Sequence, residues 1–137
     1  MKFETLSVEK QSEGWFKYYR DRDDSIMTDL FEGQLMNRLK CLSCGFETLA
    51  FDNFMDLSVE IPRKAIRILG NIDISYCLEK FMETEKMIDC GYKCGGCKKN
   101  VSVEKDLSIF RFPKILVIHL KRFYNSAMRR EKLNTTV

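Results

Sequence analysis

Six cysteines stand in this 137-residue chain: Cys41, Cys44, Cys77, Cys90, Cys94 and Cys97. Four form two Cys-x-x-Cys pairs, Cys41-Leu42-Ser43-Cys44-Gly45 and Cys94-Gly95-Gly96-Cys97-Lys98. Two residues between cysteines let a tight turn aim both sulfurs at one ion about 2.3 Å away. Backbone N–H groups of such a turn can donate to the thiolates and spread their charge. Glycine accepts φ > 0 without steric cost, and Gly45 and Gly95-Gly96 stand where that is useful. Two pairs supply four thiolates, a closed tetrahedral set with no open position for water. The ion this implies is a structural Zn²⁺, one per chain.

The pairs are separated by Gly45 to Lys93, too long for a compact zinc ribbon, so tertiary structure must bring them together. Two other readings of the four cysteines stand beside zinc: unrelated reduced thiols, and a thioredoxin-like redox pair. The redox pair belongs at a strand-to-helix junction, whereas Cys97 is followed by Lys98-Lys99-Asn100 and a strand-like run. Four thiolates and a divalent ion add −2, turning the formal net charge of +3 into +1. Lys40, Lys93, Lys98 and Lys99 flank the pairs as local compensation. Cys90 could ligate through Cys90-x₃-Cys94, but the Cys94/Cys97 spacing is better and leaves it a bystander. No signal core precedes the cysteines, which favours a reduced, intracellular chain over a secreted disulfide framework.

The remaining inventory holds no convincing catalytic centre. His119 is the only histidine, and it sits inside Ile115-Leu116-Val117-Ile118-His119-Leu120 with apolar neighbours on both faces. It reads as a buried, hydrogen-bonded core residue. No serine elbow, phosphate-cradling glycine loop or paired carboxylates stand out. A net charge of +3 is too weak to indicate a nucleic-acid partner, whose only support is Lys98-Lys99 and Arg129-Arg130. The longest apolar run, Ile115 to Ile118, is far short of the roughly 20 residues of a membrane span.

The elements that must position the cysteines are legible in outline. Between Glu4 and Arg22, Trp15, Tyr18 and Tyr19 fall at i, i+3 and i+4, one face of a helix. Asp21 to Ser25 is a polar break, and Thr28 to Cys41 fits either strand or helix. Leu57, Val59 and Ile61 alternate, as in a strand with one buried face, and Pro62 closes it. Gly70-Asn71 suggests a turn. Ile74, Cys77, Leu78, Phe81 and Met82 form the apolar stripe of a helix capped by Asp73, which places Cys77 in a core. Val101 to Arg111 and Ile115 to Phe123 read as strands. The second is apolar on both faces, as a central, doubly covered strand would be. Strands and helices mix without βαβ alternation, so the class is α+β.

Five stretches occur together and in this order. They are Trp15 with Arg20-Asp21-Arg22-Asp23-Asp24-Ser25; Asp29-Leu30-Phe31-Glu32-Gly33-Gln34-Leu35 running into Cys41-x-x-Cys44-Gly45; and Phe51-x-x-Phe54-x-Asp56-Leu57-Ser58-Val59. Then come Cys77-Leu78-x-x-Phe81 with Glu83 and Glu85, and Tyr92-x-Cys94-x-x-Cys97 followed by Phe112-Pro113-Lys114-Ile115-Leu116-Val117-Ile118-His119-Leu120-Lys121-Arg122-Phe123.

Together these stretches resemble the middle of a ubiquitin-specific protease catalytic domain, and the resemblance implies a papain-like, hand-shaped fold whose fingertips hold zinc through Cys41, Cys44, Cys94 and Cys97. Residues 1–33 would be a helical lead-in, 34–112 a zinc-ribbon-like fingers subdomain with a helix inserted near 74–82, and 113–137 a palm strand and the loop after it. Phe51–Ile61 and Val101–Arg111 would be finger strands. Tyr124 to Glu131 would match a loop near the ubiquitin C-terminal tail, and His119 the family's buried strand histidine. The family's nucleophile lies in an Asn-x-x-x-Cys-type box upstream of this stretch, and its histidine in a Gly-Gly-His-Tyr-like box downstream. Neither occurs here. The implied parent is a thiol-dependent hydrolase of isopeptide bonds at the C-terminus of ubiquitin, with ubiquitin or ubiquitinated proteins as partners. This chain is expected to carry no catalytic residue, to be inactive alone, and to expose palm surface at its ends. The alternative function is a non-catalytic ubiquitin-binding zinc module.

Overall fold

The computed structural model describes residues 6–62, 71–125, 130–134 and 136–137. Helix α1 (Val8–Arg20) starts at Ser7, whose side chain accepts from the Lys10 N–H. The expected aromatic face forms: the rings of Trp15, Tyr18 and Tyr19 lie 5.5–6.3 Å apart. On the same side of the helix, one turn before Trp15, Ser12 is buried, and it and the fully buried Gln34 hydrogen-bond each other. Helix α2 (Ile26–Phe31) opens on a reciprocal cap, Ser25 accepting from the Thr28 N–H and Thr28 from the Ser25 N–H.

Strand β1 (Gly33–Cys41) follows almost at once, which resolves the ambiguous stretch from Thr28 to Cys41 into a helix end and a strand. Gly33 makes the transition possible. A Cβ there would lie 2.5 Å from the Phe54 ring and 2.9 Å from the Arg111 carbonyl oxygen.

The largest sheet is antiparallel and has the order β2-β1-β5-β4, with β2 (Glu47–Phe54), β4 (Glu85–Lys93) and β5 (Asn100–Arg111). One face carries Arg38, whose guanidinium donates to Asp106 at 2.5 and 2.9 Å, and, nearer the base, the buried Phe51. The other face carries Leu39, Cys41, Val101 and Val103, which gather with Cys94 into a small core at the tip. Strand β4 bulges between Met87 and Tyr92, where Asp89 and Gly91 take positive φ. Such a bulge on an edge strand blunts pairing with other chains.

The second core lies at the other end. Strand β3 (Leu57–Glu60) pairs in parallel with β6 (Ile118–Lys121). Leu57, Val59 and Ile61 are buried against Ile72, Phe54 and Cys77, as their alternation predicts. Cys77 projects from α3 (Ile74–Phe81), whose cap Asp73 accepts from the Ser75 N–H at 2.7 Å. The segment read as one finger strand, Phe51–Ile61, is divided at Met55-Asp56. Only its first part joins the four-stranded sheet, because Leu57–Glu60 takes Ile118–Lys121 as its partner instead. Strands β7 (Phe123–Asn125) and β8 (Arg130–Lys132) form a short antiparallel pair. Gly70 of the expected turn and residues 126–129 of the expected loop lie outside the described residues.

The strand read over Ile115 to Phe123 is shorter and covered on one face only. Leu116, Ile118 and Leu120 pack on the core, while Ile115 and Val117 are exposed. His119 is likewise exposed and not a core residue. The core built on Leu57, Val59, Ile72 and Cys77 covers the face of Leu116, Ile118 and Leu120, whereas His119 and Lys121 lie exposed on the other face.

Candidate metal centre

Each cysteine pair closes a turn, and the two turns have the same backbone geometry. In the first, the Gly45 N–H donates to the Cys41 carbonyl at 2.9 Å, and the Cys41 N–H to the Phe46 carbonyl at 2.9 Å. In the second, the Lys98 N–H donates to the Cys94 carbonyl at 3.0 Å, and the Cys94 N–H to the Lys99 carbonyl at 3.0 Å. The left-handed residue follows the second cysteine in both: Gly45 at φ +73° and Lys98 at φ +60°. Gly45 therefore fills the role its type suggests. Gly95 and Gly96 do not have positive φ, which corrects the reading of that pair. Their lack of a side chain serves space: a Cβ would lie 3.2 Å (Gly95) or 2.9 Å (Gly96) from Phe46.

The turns meet at the tip of the sheet. The sulfurs of Cys41, Cys44, Cys94 and Cys97 all lie within 4.8 Å of one another, and Cys44 Sγ is 3.7 Å from Cys94 Sγ. A tetrahedron with 2.3 Å Zn–S bonds has edges of about 3.8 Å, so the spacing fits zinc. The Gly96 N–H donates to Cys94 Sγ at 3.3 Å, as the turn chemistry requires. The Cys94 thiol is brought down to about 7, first by the Cys97 N–H and then by that of Gly96, against the effect of burial. For Cys44 the Phe46 N–H pulls the thiol down, but Cys41, burial, Cys94 and Cys97 together push it up to about 11. Four sulfurs this close cannot all be thiolates without a cation among them.

Cys41 and Cys94 are buried, and Cys44 faces solvent. The other two cysteines lie elsewhere. Cys77 is enclosed in the second core, and the exposed Cys90 directs its thiol to the Val101 carbonyl at 3.7 Å.

Three contributors are absent from the reading of the sequence, and only one of them left a signal there. Lys98 could have been found by aligning the two turns on their second cysteines. Phe46, and the contact of Thr48 Oγ1 with Tyr92 Oη at 3.3 Å, could not, since their partners are more than forty residues away. That contact joins β2 to β4, the two edges of the sheet, so the sheet curls until its edges touch at the tip.

No catalytic geometry accompanies the cluster among the described residues. Ser58 Oγ lies 3.4 Å from Asp56 Oδ2 and 3.3 Å from His119 Nδ1. The serine thus stands between acid and imidazole, whereas nucleophilic catalysis needs the imidazole between serine and acid.

A curled sheet with four clustered cysteine sulfurs at its tip, packed at its base on a smaller mixed layer, defines an α+β fold with a candidate zinc site. The chain belongs to the ubiquitin carboxyl-terminal hydrolase family, whose model matches residues 3–137. It is 43% identical over 134 residues to ubiquitin carboxyl-terminal hydrolase 2 of Gallus gallus, covering 96% of this chain and 36% of that protein. It is 37% identical over 119 residues to ubiquitin carboxyl-terminal hydrolase 21 of Homo sapiens, covering 86% and 21%. Among solved structures it resembles a chain of the SAGA Ubp8/Sgf11/Sus1/Sgf73 DUB module bound to ubiquitin aldehyde. There the TM-score is 0.71 and the identity 26%, over 93% of this chain and 28% of that one. The same module with a Ubp8 variant, bound to monoubiquitin, gives a TM-score of 0.72 at 26% identity, over 94% and 28%. The chain spans little more than a third of the length of these relatives at most.

Proposed function

We propose that the chain is the fingers and part of the palm of a cysteine-type deubiquitinase that hydrolyses isopeptide bonds at the C-terminus of ubiquitin. The observation that carries this is the four-cysteine cluster, formed by two turns of one geometry, in a chain of this family. Residues 1–33 are the helical lead-in, 34–112 the fingers with the inserted helix, and 113–137 the palm strand and its loop. Cys41, Cys44, Cys94 and Cys97 hold one structural Zn²⁺ that fixes the fingertips and takes no part in bond cleavage. The sulfur spacing and the thiol chemistry support zinc over a redox pair or unrelated thiols.

The sequence contains neither the Cys box nor the His box of the resembled protease. His119, on an exposed strand face beside Ser58, supplies no substitute. The chain alone is therefore catalytically inactive. Exposed Phe112, Ile115, Val117 and Phe123 support its place within a larger palm. The parent acts inside the cell, without a nucleic-acid partner. No helix among the described residues is long and apolar enough to cross a membrane.

A ubiquitin–fluorophore assay on this chain should give no release above blank, and measurable turnover overturns the inactive reading. Metal analysis should give one zinc per chain; a ratio well below one removes the ligand assignment. The second reading, a non-catalytic ubiquitin-binding module, draws on the ubiquitin-bound state of the structural relatives. It requires chemical-shift changes when labelled ubiquitin is titrated with the chain, and their absence at millimolar concentration discards it.

A further inference from the structure

We infer that Phe46 is a positioning residue for the metal centre: its ring, seated on the Gly95-Gly96 step, sets the distance between the two cysteine turns before any ion arrives. This rests on the zinc reading above and adds a residue that is not a ligand.

Phe46 belongs rigidly to the first turn, because its carbonyl accepts the Cys41 N–H at 2.9 Å. Its side chain belongs to the second. A Cβ on Gly96 would lie 2.9 Å from both Cβ and Cγ of Phe46, and one on Gly95 would lie 3.2 Å from its ring. Neither glycine has positive φ, so the backbone conformation does not demand glycine at either position; the ring does. Phe46 is 41% exposed, so it is no ordinary core residue. Its covered side lies against the two residues between Cys94 and Cys97.

The turns are the β1–β2 and β4–β5 connections, and the β1–β5 ladder, which runs to Cys41–Val103, already carries both to one end of the sheet. The ladder does not set how closely the two turns lean toward each other over that end. An ion that had to order them alone would bind more weakly by the conformational entropy of doing so. The ring and the Thr48–Tyr92 contact bring the edges together in advance. Residues supporting metal ligands are commonly worth 10- to 100-fold in affinity.

The test is a double-mutant cycle on the full 137-residue chain, read as zinc affinity by competition with a chromogenic chelator. Phe46→Ala should weaken zinc binding about tenfold or more. Phe46→Tyr should stay within about threefold, since it keeps the ring. Gly96→Ala should weaken binding in the native background and cost far less beside Phe46→Ala, because its collision partner is gone. Cobalt-loaded Phe46→Ala should keep the visible spectrum of a tetrahedral four-thiolate site, which shows that the ligand set is intact. Ile88→Ala, exposed on the edge strand β4, should leave affinity unchanged. Equal cost of Gly96→Ala in both backgrounds overturns the proposal. So does a Phe46→Ala affinity within threefold of native, or a changed cobalt spectrum. A chain with no zinc, or one that binds through other ligands, fails at metal analysis instead and so separates the two readings.

Discussion

Gly45 and Lys98 occupy the same position in two turns of one geometry, each one residue past the second cysteine of its pair, at φ +73° and +60°. The chain thus builds its four-sulfur cluster by using one local solution twice. It supplies the permissive residue in the first copy and a strained one in the second.

That asymmetry predicts opposite responses. Gly45→Ala should destabilise the zinc-loaded chain by about 1–2 kcal/mol, because an L side chain is forced into the left-handed region. Lys98→Gly should be neutral or stabilising by up to about 1 kcal/mol, relief of strain being partly offset by the greater freedom of glycine in the unfolded chain. Urea midpoints of the two variants measure this. A loss at Lys98→Gly as large as that at Gly45→Ala would show that the turns are not equivalent.

At the base of the sheet, Gly33→Ala should cost about 1–3 kcal/mol. Its Cβ meets the Phe54 ring at 2.5 Å and the Arg111 carbonyl oxygen at 2.9 Å, and the carbonyl cannot turn aside as a side-chain tip could. Thermal unfolding of the variant is the measurement, and an unchanged midpoint contradicts the close approach.

The cysteines should differ sharply in reactivity. Brief iodoacetamide treatment of the native, zinc-loaded chain should add one group, at the exposed Cys90. Chelation should open Cys44 next. Cys77, fully enclosed beneath α3, should react only on denaturation. Peptide mass spectrometry reads the order. Early labelling of Cys77, or of Cys44 before chelation, contradicts the assignment.

Acid should weaken one specific contact. The Thr84 hydroxyl, and then the Arg38 guanidinium, hold the Asp106 carboxyl below the usual carboxylate range. A carboxyl depressed in the folded state contributes stability that is fully present above its unfolded value of about 3.9 and is lost as pH falls through the folded value. Asp106→Asn should therefore be less stable than native by about 1 kcal/mol at pH 7, a size set by a partly exposed pair. The gap should begin to narrow as pH falls below about 4 and close as pH falls through the folded value. The four thiols also take up protons on acidification, so the difference between the two proteins is the quantity to follow by urea denaturation. A gap that does not narrow as pH falls below about 4 removes the carboxylate as its cause.

The sequence by itself determined what is local. The two Cys-x-x-Cys turns, the Asp73 cap with its apolar stripe, the burial of Cys77 and the alternation of Leu57, Val59 and Ile61 all depend on neighbours within a few positions. Periodicity and turn chemistry record such neighbours directly. Only the tertiary structure decided what depends on partners far along the chain. It moved Leu57–Glu60 out of the large sheet, because Ile118–Lys121 is its partner. It exposed His119, because an apolar stretch says that a face can be covered and not whether a layer lies over it. It gave Gly95 and Gly96 a spatial purpose, because the ring that fills their space comes from Phe46, in the other turn.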